Sequence, residues 1–174
     1  MIRSYRGVAP KIAPTVFVDE SAQIIGDVVI GEHASIWPNV VIRADVNFVR
    51  IGDYTNIQDN CVLHVETDLY PLVVGERVGV GHGAILHGCR IESRCLVGMG
   101  AILLNNVRIG TGSIVAAGTV VPENTVIPPG SLFMGVPGRL CRQLTEEDYQ
   151  RIDRNIATYA RLKDQHLAER RGNS

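Results

Sequence analysis

Aromatic residues are scarce: Phe, Trp and Tyr together make up 5% of the chain. That disfavours a mixed globular core in which large rings fill irregular space. A surplus of either charge is missing as well. The 174 residues carry a formal net charge of -1, so nothing marks nucleic acid or an anionic membrane as a partner. Cys61, Cys89, Cys95 and Cys141 form no CxxC pair, which excludes the usual cysteine zinc site and disulfide framework. No apolar run is long enough to span a bilayer, and the opening residues MIRSYRGVAPKIAP lack the apolar stretch of a secretion signal. The expectation is a soluble cytoplasmic protein with reduced thiols, long enough for one domain and a short appendage.

What the chain does have is a repeat. Aliphatic residues recur every six positions at Ile12, Val18, Ile24, Ile30, Ile36 and Ile42. After three extra residues the phase resumes at Ile51, Ile57 and Leu63. Five more intervene around TDLYP before Val74, Val80 and Leu86. One deletion later it runs through Ile91, Val97, Leu103, Ile109, Val115, Val121, Ile127 and Phe133. Four positions after each sits a small or β-branched residue, among them Ala22, Val28, Ala34, Val46, Thr55, Cys61, Ala84, Cys95 and Ala101. Gly is frequent one position after (Gly31, Gly52, Gly75, Gly81, Gly98, Gly110), where the chain is expected to bend. A helix has the wrong period and would be broken by these residues. Period six with turns marks a parallel β-helix.

The pattern resembles the hexapeptide-repeat, left-handed β-helix superfamily, with three hexapeptides per triangular coil. That implies an all-β solenoid of about seven coils, each rising roughly 4.8 Å. The left hand comes from the resemblance, since parallel crossovers are ordinarily right-handed. The solenoid is expected over residues 1–140, and residues 141–174 should carry a helix packed on it or on a neighbouring subunit. Thr145 opens that helix with Glu146, Glu147 and Asp148 in its first turn. Tyr149, Ile152, Ile156, Tyr159, Leu162 and Leu167 form its apolar stripe. Residues 172–174 should fray.

The histidines make sense only when counted in repeats. His64, His82 and His87 are separated by 18 and 5 residues, but Leu63 and Leu86 are three repeats apart once the TDLYP segment is looped out. His64 and His87 therefore stack on one face, with Arg43 below them. His82 belongs to the preceding face, above Asp59, with Gln58 alongside. A ring of three parallel solenoids would bring one subunit's His64/His87 column to its neighbour's His82/Asp59 column. Three imidazoles then hold one ion with a position left open for water, and Arg43 can pair with Asp59 across the interface. The plainer alternative is a histidine ladder without an ion. For His33 and His166, lone surface residues are the simpler reading, as core filling is for Cys61 and Cys95. Trp37, Tyr54 and Tyr70 read as packing or interface residues.

The segment from Arg43 to His64, RADVNFVRIGDYTNIQDNCVLH, and the segment GHGAILHGC from Gly81 resemble the γ-class carbonic anhydrase family, particularly its short-loop bacterial branch. The resemblance spans essentially the whole chain, including the MGVPGR ending. It implies a homotrimer in which His64, His82 and His87 are metal ligands, His82 coming from the adjacent subunit. It also implies that Arg43 and Asp59 form the intersubunit ion pair, that Asp45, Gln58 and Asn56 orient water and bicarbonate, and that Tyr159 reaches the site from the helix. The metal would be Zn2+, with Fe2+ or Co2+ as substitutes, and the reaction reversible hydration of CO2 to bicarbonate by a metal-activated water.

There is one departure. Val46 follows Asp45 where the best-known members carry a glutamate, and the loop after His64 is short. Glu66 and Asp68 are nearby candidates for proton relay, but neither matches the family's position. Weak or conditional turnover is the expectation. Two rivals share the solenoid: a hexapeptide acyltransferase using acetyl-CoA, and a non-catalytic metal-binding trimer serving as a scaffold.

Overall fold

A computed structural model describes residues 1–172. The six-residue period becomes short parallel strands, most of them two residues long, separated by tight turns. Each strand pairs with the strand one coil away, as Asn56–Ile57 does with Gly79–Val80 and Gly79–Val80 with Leu96–Val97. The product is a left-handed parallel solenoid of about seven coils with three faces. From Ile24 to Phe133 every phase-setting residue is buried, none more than 6% exposed. Ile12 and Val18 lie at the open end and are only partly covered. Cys61, Cys89 and Cys95 are interior as well. Burial pushes the Cys61 and Cys89 thiols up to about 12 and that of Cys95 up to about 11, so they pack as small apolar groups rather than react.

The expected interior role of Val46 is corrected. In the long strand Val41–Ile51, Ala44 pairs with Gly26 and Val49 with Val28, and the register shifts in between. The extra residues therefore form a bulge over Asp45–Phe48. Val49 fills the core and Val46 is exposed. The glycines one position after the phase residues also have a different cause from the one expected, because none has a positive φ. A Cβ on Gly98 would lie 2.3 Å from the Ala117 amide nitrogen of the next coil. Close approach, not bending, selects glycine there. The bend falls two residues later, at a left-handed residue in coil after coil: His33, Asn39, Tyr54, Asn60, Arg77, Gly83, Arg94, Gly100, Asn106, Gly112, Gly118 and Asn124. Asn and Gly dominate because they enter this region at least cost.

The outward ladders give each face its own chemistry. The face of Asn56–Ile57 and Gly79–Val80 is covered by the helix Glu146–Gly172, which packs on four of its strands. A second face carries Lys11, Val29, Arg50, Val73, Arg90, Arg108 and Val126 in register. The third carries Gln23, Val41, Val62, Ile85, Ile102 and Val120. It is aliphatic and uncovered, with Val62 and Ile85 each 40% exposed.

The helix starts at a reciprocal cap. The Thr145 amide donates to Asp148 Oδ2 (2.8 Å), and the Asp148 amide donates back to Thr145 Oγ1 (3.4 Å). Ile152 and Ile156 are buried against Leu96 and Ile114, contributing about 2 kcal/mol each. The stripe includes one residue not anticipated. Lys163 is buried with its ammonium on Asp164. His166 is exposed, as expected, but not alone: its ring packs on Phe17 and Trp37 at 5.3 and 5.2 Å. His33 likewise stacks on Tyr54 at 4.7 Å. The helix continues through Gly172; residues 173–174, expected to fray, lie outside the described residues. Before the helix, Gly138–Gln143 pairs antiparallel with Ser131–Gly135.

These two glycine environments separate by mutation. Gly118 has φ +67° with nothing within 4 Å of an added Cβ, so Gly118→Ala should cost only the left-handed strain, about 1–2 kcal/mol. Gly98→Ala, at ordinary φ but against backbone, should cost more. Urea midpoints of the two variants make the comparison.

Candidate metal centre

The coil register carries His64 and His87 to the ends of the paired strands Val62–His64 and Ile85–His87, one directly above the other. His64 Nδ1 and His87 Nε2 face each other at 3.1 Å. Two nitrogens that share one ion at roughly 2.0–2.1 Å with a near-tetrahedral angle stand about 3.3 Å apart. The pair therefore has the span of a bidentate imidazole site. The bulge after Ala44 brings Asp45 Oδ1 to 3.1 Å from His64 Nε2, and Arg43 closes on the other oxygen of Asp45. Burial alone would raise the Asp45 carboxyl. Hydrogen bonds from Arg43 and His64 outweigh it and hold the group below the usual carboxylate range, so Asp45 stands ionised beside the pair.

His82 is elsewhere, on the corner next to the helix-covered face. Its Nδ1 lies 2.9 Å from Asp59 Oδ2 and its Nε2 3.3 Å from Tyr159 Oη. A carboxylate accepts only, so the Asp59 contact puts the hydrogen on Nδ1 and leaves the Nε2 lone pair outward. The Tyr159 hydroxyl donates to that lone pair. Burial, then the Asp59 charge, raises the Tyr159 phenol above its ordinary value, so it remains a donor well past neutrality. Trp37 fixes the tyrosine edge-on at 5.3 Å.

Gln58 and Asn56 are buried beside His82. Gln58 Nε2 donates to Asn56 Oδ1 (2.9 Å), and Asn56 Nδ2 donates to Asn155 Oδ1 on the helix (3.2 Å). This amide chain ties the solenoid wall to the helix. Gln58, His82, Met99, Arg151, Asn155 and Tyr159 line a cavity of about 340 Å³ between the helix and the coils.

The candidate residues thus form two clusters, Arg43–Asp45–His64–His87 and Gln58–Asp59–His82–Tyr159. Within one chain Arg43 meets Asp45 and Asp59 meets His82; the Arg43–Asp59 pair is not an intrachain contact. Among the described residues no three His, Cys, Asp or Glu side chains of one chain come together closely enough to hold an ion. Glu66 reaches the first cluster through Asn105, a residue missed in the sequence. Asn105 lies two positions after Leu103, which stacks on Leu86, so it stands level with Gly88, one place outside the histidine column, whose next member is Leu104. Among the described residues the Asp68 side chain makes no hydrogen bond or ion pair with either cluster; its amide faces Val46 O at 3.5 Å.

Comparisons with known proteins agree with this architecture. The family model for the bacterial transferase hexapeptide (six repeats) matches residues 9–44 and 88–123. A “Probable carbonic anhydrase” of Methanocaldococcus jannaschii is 48% identical over 88% of this chain and 96% of its own length. A carbonic anhydrase of Geobacillus kaustophilus is 47% identical over 88% and 84%. A solved Bacillus cereus structure, described as a candidate acetyltransferase, superposes with TM-score 0.93 at 41% identity, covering 96% of each chain. The protein is a hexapeptide-repeat solenoid. Within that class, the chain belongs to the γ-class carbonic anhydrase family.

The raised Tyr159 phenol has a consequence for stability. Its share is fully present below the ordinary tyrosine value near pH 10 and is lost as pH rises beyond it. Denaturant midpoints taken from about pH 8 to pH 11 should therefore fall less steeply in Tyr159→Phe than in the wild type.

Proposed function

We propose that the protein is a metal-dependent enzyme for the reversible hydration of CO2, working as a homotrimer with its centres shared between subunits. The observation that carries this reading is the facing pair His64 Nδ1 and His87 Nε2 at 3.1 Å in a chain whose third imidazole lies on another corner. Two ligands on one corner and one on the next make a complete set only across an interface. The uncovered aliphatic ladder of Val41, Val62, Ile85 and Ile102 runs beside that pair, and burying it against copies of itself would supply the apolar contact that closes a ring. The carbonic anhydrase names of two close relatives support the reaction. Zinc is the expected ion, although three imidazoles also accept iron or cobalt.

When bound, such an ion lowers the pKa of a water so that a nucleophile exists near neutral pH. The chain's own residues do the rest. His64, His87 and a neighbour's His82 hold the ion, with Asp59 keeping the His82 lone pair outward. Ionised Asp45 accepts a hydrogen bond from the attacking water and aims its free lone pair at CO2. Tyr159 and Gln58 border the volume into which the product leaves. No acidic residue occupies the family's proton-export position, so turnover is limited by proton release.

Mixing variants tests the shared centre. His64→Ala and His82→Ala homotrimers should each lose bound ion and CO2 hydration, read by metal analysis and stopped flow. Unfolded and reassembled together in equal amounts, they should recover about one quarter of wild-type activity, because each mixed ring regains one intact centre. No recovery with both variants correctly assembled would falsify the shared centre. The structural neighbour described as an acetyltransferase motivates the rival: tight acetyl-CoA binding without a bound ion would favour it. Bound ion with no hydration under any redox condition would favour a scaffold.

A further inference from the structure

His87 and two residues beside it form a chain with no freedom of assignment. His87 Nδ1 lies 2.7 Å from Asn105 Oδ1, and Asn105 Nδ2 lies 3.1 Å from Glu66 Oε2. The Glu66 carboxylate can only accept, so it claims the NH2 end of the Asn105 amide. The amide oxygen is then the end that meets His87, and an amide oxygen can also only accept. His87 must therefore carry its hydrogen on Nδ1, which leaves Nε2, the atom facing His64, with a bare lone pair. A free imidazole has no such constraint.

The surroundings hold this chain in place. Gly88, next to His87, leaves the space that Asn105 occupies: a Cβ there would lie 2.5 Å from Asn105 Oδ1. Glu66 is fixed at the neck of the looped-out segment. Its amide donates to Tyr70 O (2.9 Å), its carbonyl accepts from Asn47 Nδ2 (3.1 Å), and its other carboxylate oxygen accepts from the Thr67 amide (3.0 Å). Both carboxylate oxygens are thus taken by N–H donors, Asn105 Nδ2 on one and the Thr67 amide on the other.

We infer that Asn105 and Glu66 are positioning residues that set the tautomer of His87, so that Nε2 is presented as a ligand before any ion arrives. This rests on the metal reading above. It also gives the loop a purpose other than proton relay: the loop anchors an acceptor that orients an amide, which orients an imidazole. His82 obtains the same result from Asp59 directly, so each corner of the shared centre has its own device.

The test uses the full-length protein. Long-range 15N–1H spectra of the ion-free wild type should show His87 as the Nδ1–H tautomer, and Asn105→Ala should shift it toward the Nε2–H form. Competition with a chromophoric chelator for Zn2+ should show about 10–100-fold weaker binding in Asn105→Ala. Glu66→Leu should weaken binding less, since the amide is then free to turn rather than lost. Glu66→Gln keeps an acceptor oxygen and should restore near-wild-type affinity, whereas a proton-relay role predicts the same affinity for the Leu and Gln variants. A wild-type His87 in the Nε2–H form, or an Asn105→Ala variant with unchanged tautomer and affinity, overturns the proposal. If the wild type binds no divalent ion, the metal reading falls, and the tautomer comparison still decides this one.

Discussion

The hydrogen-bonded register between coils is the constraint on which everything else depends. Because each strand pairs in parallel with its equivalent one coil away, a residue's neighbours are set by repeat number rather than by chain distance. Ile57 meets Val80 and Leu63 meets Leu86 although 23 residues separate each pair. The interior is a column one aliphatic wide, so each layer must place its side chain at the same height. Inserted residues can then go only outward. The looped segment after His64 and the bulge after Ala44 are such insertions, and both deliver polar groups to the same corner.

The same register explains why the candidate centre has two halves. Polar side chains are presented at corners, and a corner can stack histidines but cannot turn a third one around the prism. His82 belongs to a different corner from His64 and His87. The electrostatic partners follow this division: Arg43 and Asp45 accompany the stacked pair, while Asp59 and Tyr159 accompany His82. Each half is already hydrogen-bonded within its own chain. Binding an ion would therefore exchange existing contacts, such as the Tyr159 hydroxyl on His82, rather than fill a void. The aliphatic face between the two corners is the surface across which halves from different copies can meet.

Much of this was legible in the sequence, and the reasons differ by residue. Stepping by six put His87 on His64 and His82 over Asp59, because strand register follows the hydrophobic period wherever no residue is inserted. Val46 was misjudged because the period reveals that three residues are extra without revealing which; only the pairing of Val49 with Val28 decides it. The glycines were found but given the wrong cause, since spacing between coils is invisible in a linear count. The left-handed position was also readable, from Asn39, Asn60, Gly83, Gly100 and Asn106 at equal phase. Asn105 escaped because it stands one place outside the histidine column, whose next member is Leu104, and its side chain reaches sideways to His87. Lys163 escaped for another reason: a long side chain buries its stem where a hydropathy stripe assigns it to solvent.

The strand Gly138–Gln143 runs against the direction of all the coils beneath it. A solenoid of identical layers has no intrinsic end, since its last strand offers the same unpaired amides and carbonyls that the previous layer satisfied, an invitation to stack chain upon chain into a filament. By folding back, this hairpin consumes the open edge of one face and presents the next molecule with a ladder of the wrong polarity. Growth along the axis is thereby discouraged at this end, and association is directed sideways, where rings close.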